Sequence, residues 1–199
     1  MSVVNTLMLI SEWLDEQVCA GIRFKVPPED RKPDDDMYEY KEITPHAFPM
    51  YLPSNDKLPP NIEARFPSIC VQMEKGSDDV VAGYSNMKLM LGFSCWNPGI
   101  HGLDIYYPEG TGQHGGEKFR KSSDGWMDVW NFIDTARRKI ESTDIISGKI
   151  QILKNVPVEY GPYRQQDEIP DFYPFWFGYV SFTVRTELVR DNKQIEEFL

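Results

Sequence analysis

The stretch GTGQHGG at residues 110–116 places three glycines at the spacing of a dinucleotide-binding fingerprint: Gly110, Gly112 and Gly115. In that fingerprint the glycines follow a strand and open a helix, whose N-terminus faces the pyrophosphate. Here YYPE precedes the glycines and EKFRKSSDG follows them, so neither flank supplies the required element. The flanks therefore favour a glycine-rich loop over a phosphate-binding site.

The same region carries a set of side chains that could ligate zinc or iron, namely His101, Asp104, His114 and Glu117. Two imidazoles and two carboxylates are suitable ligands for either metal. Their spacing is irregular, however, and no predicted helix or strand holds them in place. Solvated loop residues are the favoured interpretation, and a metal-dependent hydrolase built on residues 101–117 is kept as an alternative.

Nucleophilic catalysis finds no support in the local motifs. No serine stands in a GxSxG sequence, and Cys19, Cys70 and Cys95 form no CxxC pair and carry no signature that nominates a histidine partner. His46 lies in a proline-rich stretch, where a surface position is expected. We therefore predict a protein that is not an enzyme, with no catalytic residues, no bound metal and no cofactor, and with reduced, buried cysteines.

The charge of the chain argues against tight nucleic-acid binding. The formal net charge is −10 and the isoelectric point is near 4.8, whereas affinity for DNA usually comes from basic surfaces that neutralise phosphates. The basic run Arg137 to Lys139 suits the C-terminal end of a helix. The first residues lack a basic leader, and acidic residues interrupt their apolar run. We expect a cytosolic protein with no membrane association.

Periodicity divides the chain into two helices, two irregular regions and four strands. Apolar residues three and four apart predict a helix over residues 3–18, and a second begins near Asp124 with Val129, Trp130, Ile133, Ala136 and Ile140 facing inward. Eight prolines make residues 26–60 an arm or insertion, and residues 97–123 form a long glycine-rich loop. The predicted strands are FPSICVQMEKG, SNMKLMLGFSCW, KIQILKNVPVEY and PFWFGYVSFTVRTEL.

This order predicts an α+β fold in a single domain spanning residues 1–199. Two helices pack on a mainly antiparallel four-stranded sheet in the order α-β-β-α-β-β, because each helix has one apolar stripe and each strand one strongly apolar side. The last strand departs from this scheme. Trp176, Gly178, Val180, Phe182 and Val184 share one face, so Phe175, Phe177 and Tyr179 point to the other. That second aromatic face needs cover from the arm or from another subunit.

Four segments together resemble the tail terminator, or tail-completion, proteins of long-tailed bacteriophages. They are the N-terminal VVNTLMLISEWL, the strand FPSICVQ, the helix GWMDVWNFIDTARRKI and the ending VPVEYGPYRQQDEIPDFYPFWFGYVSFTVRT. These motifs are strand and helix patterns with an aromatic–glycine signature, and they contain no catalytic residues. Residues 26–60 and 97–123 are longer than the corresponding connections of the family.

The resemblance implies a structural virion protein that forms a ring, expected to be a hexamer, on the head-proximal end of the tail tube. Its implied partners are other copies of itself, the tail-tube protein and a head-completion or connector protein, and DNA passes through the ring without sequence-specific binding. The protein is then found in the virion tail, and in the host cytoplasm during assembly. Alternatives are another head–tail connector or a minor tail protein. The candidate subunit or tube contacts are Phe175, Phe177, Tyr179, His114, Arg120 and Lys121.

Overall fold

A computed structural model describes the chain at residues 1–27, 41–101 and 119–188. Two helices lie in these ranges, α1 at Val3–Gln17 and α2 at Trp126–Ser142. The first seven strands are β1 Phe24–Lys25, β2 Glu42–Ile43, β3 His46–Pro49, β4 Ser68–Asp79, β5 Tyr84–Trp96, β6 Gly99–His101 and β7 Phe119–Lys121. After α2 follow β8 Ile145–Ile146, β9 Ile150–Ile152, β10 Glu159–Pro162 and β11 Phe175–Glu187.

Both helices lie close to where the apolar periodicity puts them. The Ser2 side chain caps α1 by accepting a hydrogen bond from the Asn5 backbone N–H at 3.2 Å, which satisfies one of the free donors of the first turn. Val129, Phe132 and Ile133 of α2 are buried. The stripe predicted for α2 is therefore confirmed, with Phe132 added to it and Trp130 half-buried at its margin.

The sheet differs from the predicted one. Seven strands form a mixed, strongly curled half-barrel in the order β3-β4-β5-β11-β9-β8, with β10 also paired to β11. Two small antiparallel pairs, β1 with β2 and β6 with β7, lie apart from it. The prediction of two helices on a mainly antiparallel four-stranded sheet in the order α-β-β-α-β-β is therefore wrong in strand number, order and sheet type.

One reason is that the proline-rich stretch supplies an edge strand. Residues His46–Pro49 pair with β4, and they do so in parallel, which makes the sheet mixed. Proline is tolerated at a sheet edge because its missing N–H is not needed there. Helix α1 covers this edge: the Asp15 carboxylate accepts a hydrogen bond from the Ala47 N–H at 2.7 Å and lies 2.8 Å from Nδ1 of His46. His46 is thus half-buried at an element junction.

The other reason is that the predicted strand KIQILKNVPVEY is broken. Ile150–Ile152 pairs with β11 at Val184 and Arg185, and the chain then turns away at residues 154–156. It returns after Pro157 as Glu159–Pro162, which pairs with β11 at residues 178–181. Both segments lie along the same edge of β11, and the intervening residues leave the ladder.

Strand β11 lies at the centre of the half-barrel and carries the core on one face. Val180, Phe182 and Val184 are buried against the helices, as the alternation predicts. Gly178 allows α2 to approach closely, because a Cβ at that position would come 2.6 Å from Cδ1 of Ile133. Within the described ranges, no helix combines the length and the apolar character that crossing a membrane requires.

Candidate assembly surface

The outer face of the half-barrel carries a cluster of aromatic rings at one end of β11. We call it the aromatic surface and define it as Phe66, Tyr163, Phe172, Phe175 and Phe177. Phe175 and Phe177 belong to β11, Phe66 comes just before β4, Tyr163 follows β10, and Phe172 lies in the loop leading into β11. Three separate stretches of the chain, at residues 66, 163 and 172–177, therefore build it.

The β11 residues form its base. The rings of Phe175 and Phe177 stack at 13° with centroids 6.4 Å apart, on the face opposite the core. Phe66 leans on both, with centroid distances of 5.2 Å to Phe175 and 6.5 Å to Phe177. All three rings are half-buried, so this face of the strand is covered in part by neighbouring aromatics of the same chain.

The loop residues form its exposed rim. The Phe172 ring meets Phe177 at 5.6 Å and 86°, and the Tyr163 ring lies 6.2 Å from Phe172. The backbone N–H of Tyr163 donates to the Phe177 carbonyl at 3.1 Å, which extends the β10–β11 ladder to the rim. Phe172 remains 43% exposed and Tyr163 46% exposed. Large half-exposed rings in one contiguous cluster are typical of an interaction site.

A cation borders the cluster. The Arg65 guanidinium lies over the Phe66 ring, 5.2 Å from its centroid, in a cation–π arrangement. Its Nε is buried and has no hydrogen-bond partner among the described residues. The aromatic surface therefore presents rings together with a positive charge that no described carboxylate neutralises.

Of the three aromatic contact residues predicted on β11, the structure brings two together and separates the third. Phe175 and Phe177 belong to the aromatic surface, whereas Tyr179 lies over Gly161 of β10, where an added Cβ would come 3.2 Å from its ring. Arg120 and Lys121 lie on β7, which pairs with β6. His114 lies outside the described residues.

The residues proposed for phosphate or metal binding are almost all beyond the described ranges. His101 is the last residue of β6, and Asp104, His114, Glu117 and the glycines of 110–116 lie outside. In residues 1–27, 41–101 and 119–188, no three His, Cys, Asp or Glu side chains are close enough together to hold a metal ion. The metal interpretation stays an alternative without structural support.

Sequence reasoning missed a second exposed apolar feature, the tip of the β4–β5 hairpin. We call it the hairpin tip and define it as residues 78–82. Val80 is 74% exposed and Val81 95% exposed, and the turn is fixed by the Asp79 carboxylate, which accepts the Ala82 N–H at 2.8 Å. The only signal in the sequence was a pair of valines between aspartates and glycine, DDVVAG, where turns are usually polar.

A polar cluster joins β1, the end of β5 and α2. Lys25 Nζ donates to Asn97 Oδ1 at 3.0 Å and to the Gly99 carbonyl, and Asn97 Nδ2 donates to Asp128 Oδ2 at 2.6 Å. Burial lowers the pKa of Lys25, opposed by the charge of Asp128. Burial also raises the pKa of Asp128, opposed by the Asn97 hydrogen bond and by Lys25. These groups satisfy one another, so the cluster ties β1 and the N-terminal turn of α2 to the end of β5.

The free cysteines are poor nucleophiles. Cys19 and Cys95 are buried, and burial raises the pKa of both thiols well above the ordinary range, with the nearby carboxylates of Asp15 and Asp128 adding to the effect. Burial raises the pKa of the half-buried Cys70 as well. Because the thiolate is the reactive form, these positions favour a packing role.

The described residues thus expose aromatic rings at one end of the sheet and the two valines of the hairpin tip at the other. A comparison of the chain with protein-family models, with curated proteins and with solved structures found no match.

Proposed function

We propose that this chain is a structural assembly protein that, as a ring of identical copies, caps the head-proximal end of a phage tail tube and joins it to the head connector. The observation that carries the proposal is the half-exposed aromatic surface on β11. Four of its five rings lie within the ending that resembles tail terminator proteins, and Phe66 is the first residue of the resembling strand FPSICVQ.

The energetics of the aromatic surface favour association. Burying a phenylalanine side chain fully contributes about 1.5–3 kcal/mol, and Phe172 and Tyr163 retain nearly half of their exposure. A partner that covers them gains the remainder without ordering new backbone, because β11 and the β10 ladder already hold the base of the cluster. Aromatic side chains in a desolvated centre are the commonest source of binding energy at protein interfaces.

The charge of the chain fits a protein through which DNA passes. With a net charge of −10, the surface repels phosphates and offers weak, non-adhesive walls. Arg137 is the first residue of the basic run Arg137 to Lys139, and contacts within the chain neutralise its charge. Its guanidinium pairs with Asp134 and Glu141 and lies 3.7 Å from the centre of the Tyr160 ring. Arg137 therefore links α2 to β10.

Electron microscopy of labelled virions tests the proposal. In the phage that encodes the chain, gold-labelled protein is expected at the head-proximal end of the tail, and its depletion is expected to leave tails of irregular length that do not join heads. Label at the distal tip or along the tube, or normal virions without the protein, contradicts the proposal. Neighbouring genes for tail-tube and head-completion proteins would separate this role from that of another connector.

A further inference from the structure

The hairpin tip and the aromatic surface lie at opposite ends of the same sheet. β11 pairs with Trp96 at its Phe175 end and with Tyr84 at its Glu187 end, and Tyr84 in turn pairs with Asp79 of the hairpin tip. At about 3.3 Å per residue, the thirteen residues of β11 separate the two ends by roughly 40 Å. One chain therefore cannot cover its own aromatic surface with its own hairpin tip.

We propose that the hairpin tip of one copy packs on the aromatic surface of the next, so that copies join head to tail. This inference rests on the proposed function and identifies the two halves of the subunit contact. A contact between two different surfaces is heterologous, and it closes into a ring when the rotation between copies permits. Two exposed valines form a narrow apolar projection, and the rim of Phe172 and Tyr163 offers apolar area for it.

Charge complementarity favours the hairpin tip of another copy as the partner of the aromatic surface. Arg65 borders the aromatic surface and has no hydrogen-bond or ion-pair partner among the described residues, and Asp78, exposed beside the valines, likewise has no ion pair there. Placing Val80 and Val81 on the rings brings a carboxylate of the tip to the guanidinium. Opposite charges at the rim of a contact fix its register and speed association.

The same surface also restricts the direction of approach. The turn that follows Tyr163 carries Asp167 and Glu168, and Asp171 precedes Phe172. These carboxylates repel an acidic tip, whereas Arg65 and the exposed Arg164 of the same turn attract it. Of these two cations Arg65 lies against a ring of the cluster, so the proposed contact places Asp78 toward Arg65.

Cysteine cross-linking tests the contact between two differently marked copies. In a Cys70→Ala background, Ala82→Cys marks the tip in one protein and Gln165→Cys marks the rim in another; both positions are exposed and uncharged, and both leave the valines and rings intact. With a short bis-maleimide, the mixture is expected to give cross-linked dimers, and each protein alone is not. Dimers formed by the Gln165→Cys protein alone indicate a face-to-face contact and overturn the inference, as does the absence of dimers in the mixture.

Charge reversal makes the test specific. Asp78→Lys in the tip protein is expected to lower the cross-linking yield at least ~10-fold, a factor that corresponds to about 1.4 kcal/mol, and Arg65→Glu in the rim protein is expected to restore it. Trp126→Ala, which alters an exposed ring outside the cluster, is the matched control and is expected to leave the yield unchanged. Loss of yield with no rescue contradicts the Asp78–Arg65 pairing.

The two proposals fail in distinguishable ways. Label at the head-proximal tail end together with failed cross-linking leaves the proposed function standing and removes this contact. Cross-linked head-to-tail dimers from a protein that never localises to the tail end support this contact and contradict the proposed function.

Discussion

The ring of Phe172 stands edge-on to the ring of Phe177, with centroids 5.6 Å apart and planes at 86°. Phe177 is fixed in β11, whereas Phe172 reaches it from the preceding loop and keeps 43% of its side chain exposed. The pair thus joins the rigid centre of the sheet to the surface that we assign to a partner.

Replacing Phe172 by alanine is expected to weaken association far more than folding. Because the ring is only partly buried, the free energy of unfolding should fall by about 1 kcal/mol, a fraction of the value for a fully buried ring. Denaturant unfolding and analytical ultracentrifugation measure the two effects. Trp126→Ala, at 49% exposure, is the control that should lower the free energy of unfolding by a similar amount and leave self-association unchanged. Unchanged self-association in Phe172→Ala would remove the aromatic surface from the interface.

Gly178→Ala is expected to destabilise the fold by about 1–3 kcal/mol, the usual range for overpacking a core. The added methyl meets Cδ1 of the buried Ile133 at 2.6 Å and the Gly161 carbonyl oxygen at 3.0 Å, so both α2 and β10 must shift. Gly21→Ala is the matched control, since a Cβ there meets nothing within 4 Å. Equal midpoints of chemical denaturation for the two variants would show that α2 does not press on β11.

Asp15→Ala should expose the edge strand β3. The substitution removes the acceptor of the Ala47 N–H and the partner of His46, and leaving one buried donor unsatisfied costs about 1–3 kcal/mol. Because an uncovered edge can pair with another chain, light scattering on heating should also rise. Glu16→Ala, exposed on the same helix, is expected to do neither. Wild-type behaviour of Asp15→Ala would contradict the capping role.

The stability difference between wild type and Asp128→Asn is expected to depend on pH. Burial raises the pKa of Asp128 above its ordinary 3.8, so the fold favours the protonated carboxyl. Its contribution to stability is full below 3.8 and is lost as the pH rises through the higher folded value. Asparagine does not titrate, so the free energy of unfolding of the wild type should fall relative to that of Asp128→Asn as the pH rises. Urea unfolding at a series of pH values measures the difference, and a trend of opposite sign would contradict the assignment.

The sequence alone determined the elements whose evidence is local. Alternation placed Leu89, Leu91 and Phe93 on one face of β5 and Val180 and Phe182 on one face of β11, and the three- and four-residue spacing located both helices. These assignments hold because residues two apart in a strand, or about one turn apart in a helix, share a face whatever the rest of the chain does.

Only the tertiary structure decided which elements meet. β3 pairs with β4 in parallel, and its Ala47 N–H is capped by Asp15 of α1, 32 residues earlier in the chain. β9 and β10 are separate strands that pair with different residues of β11. The aromatic surface likewise joins Phe66 to Phe175 across more than a hundred residues. Periodicity within a window carries no information on such distant pairings, because they depend on how the whole sheet curls and which edges the helices cover.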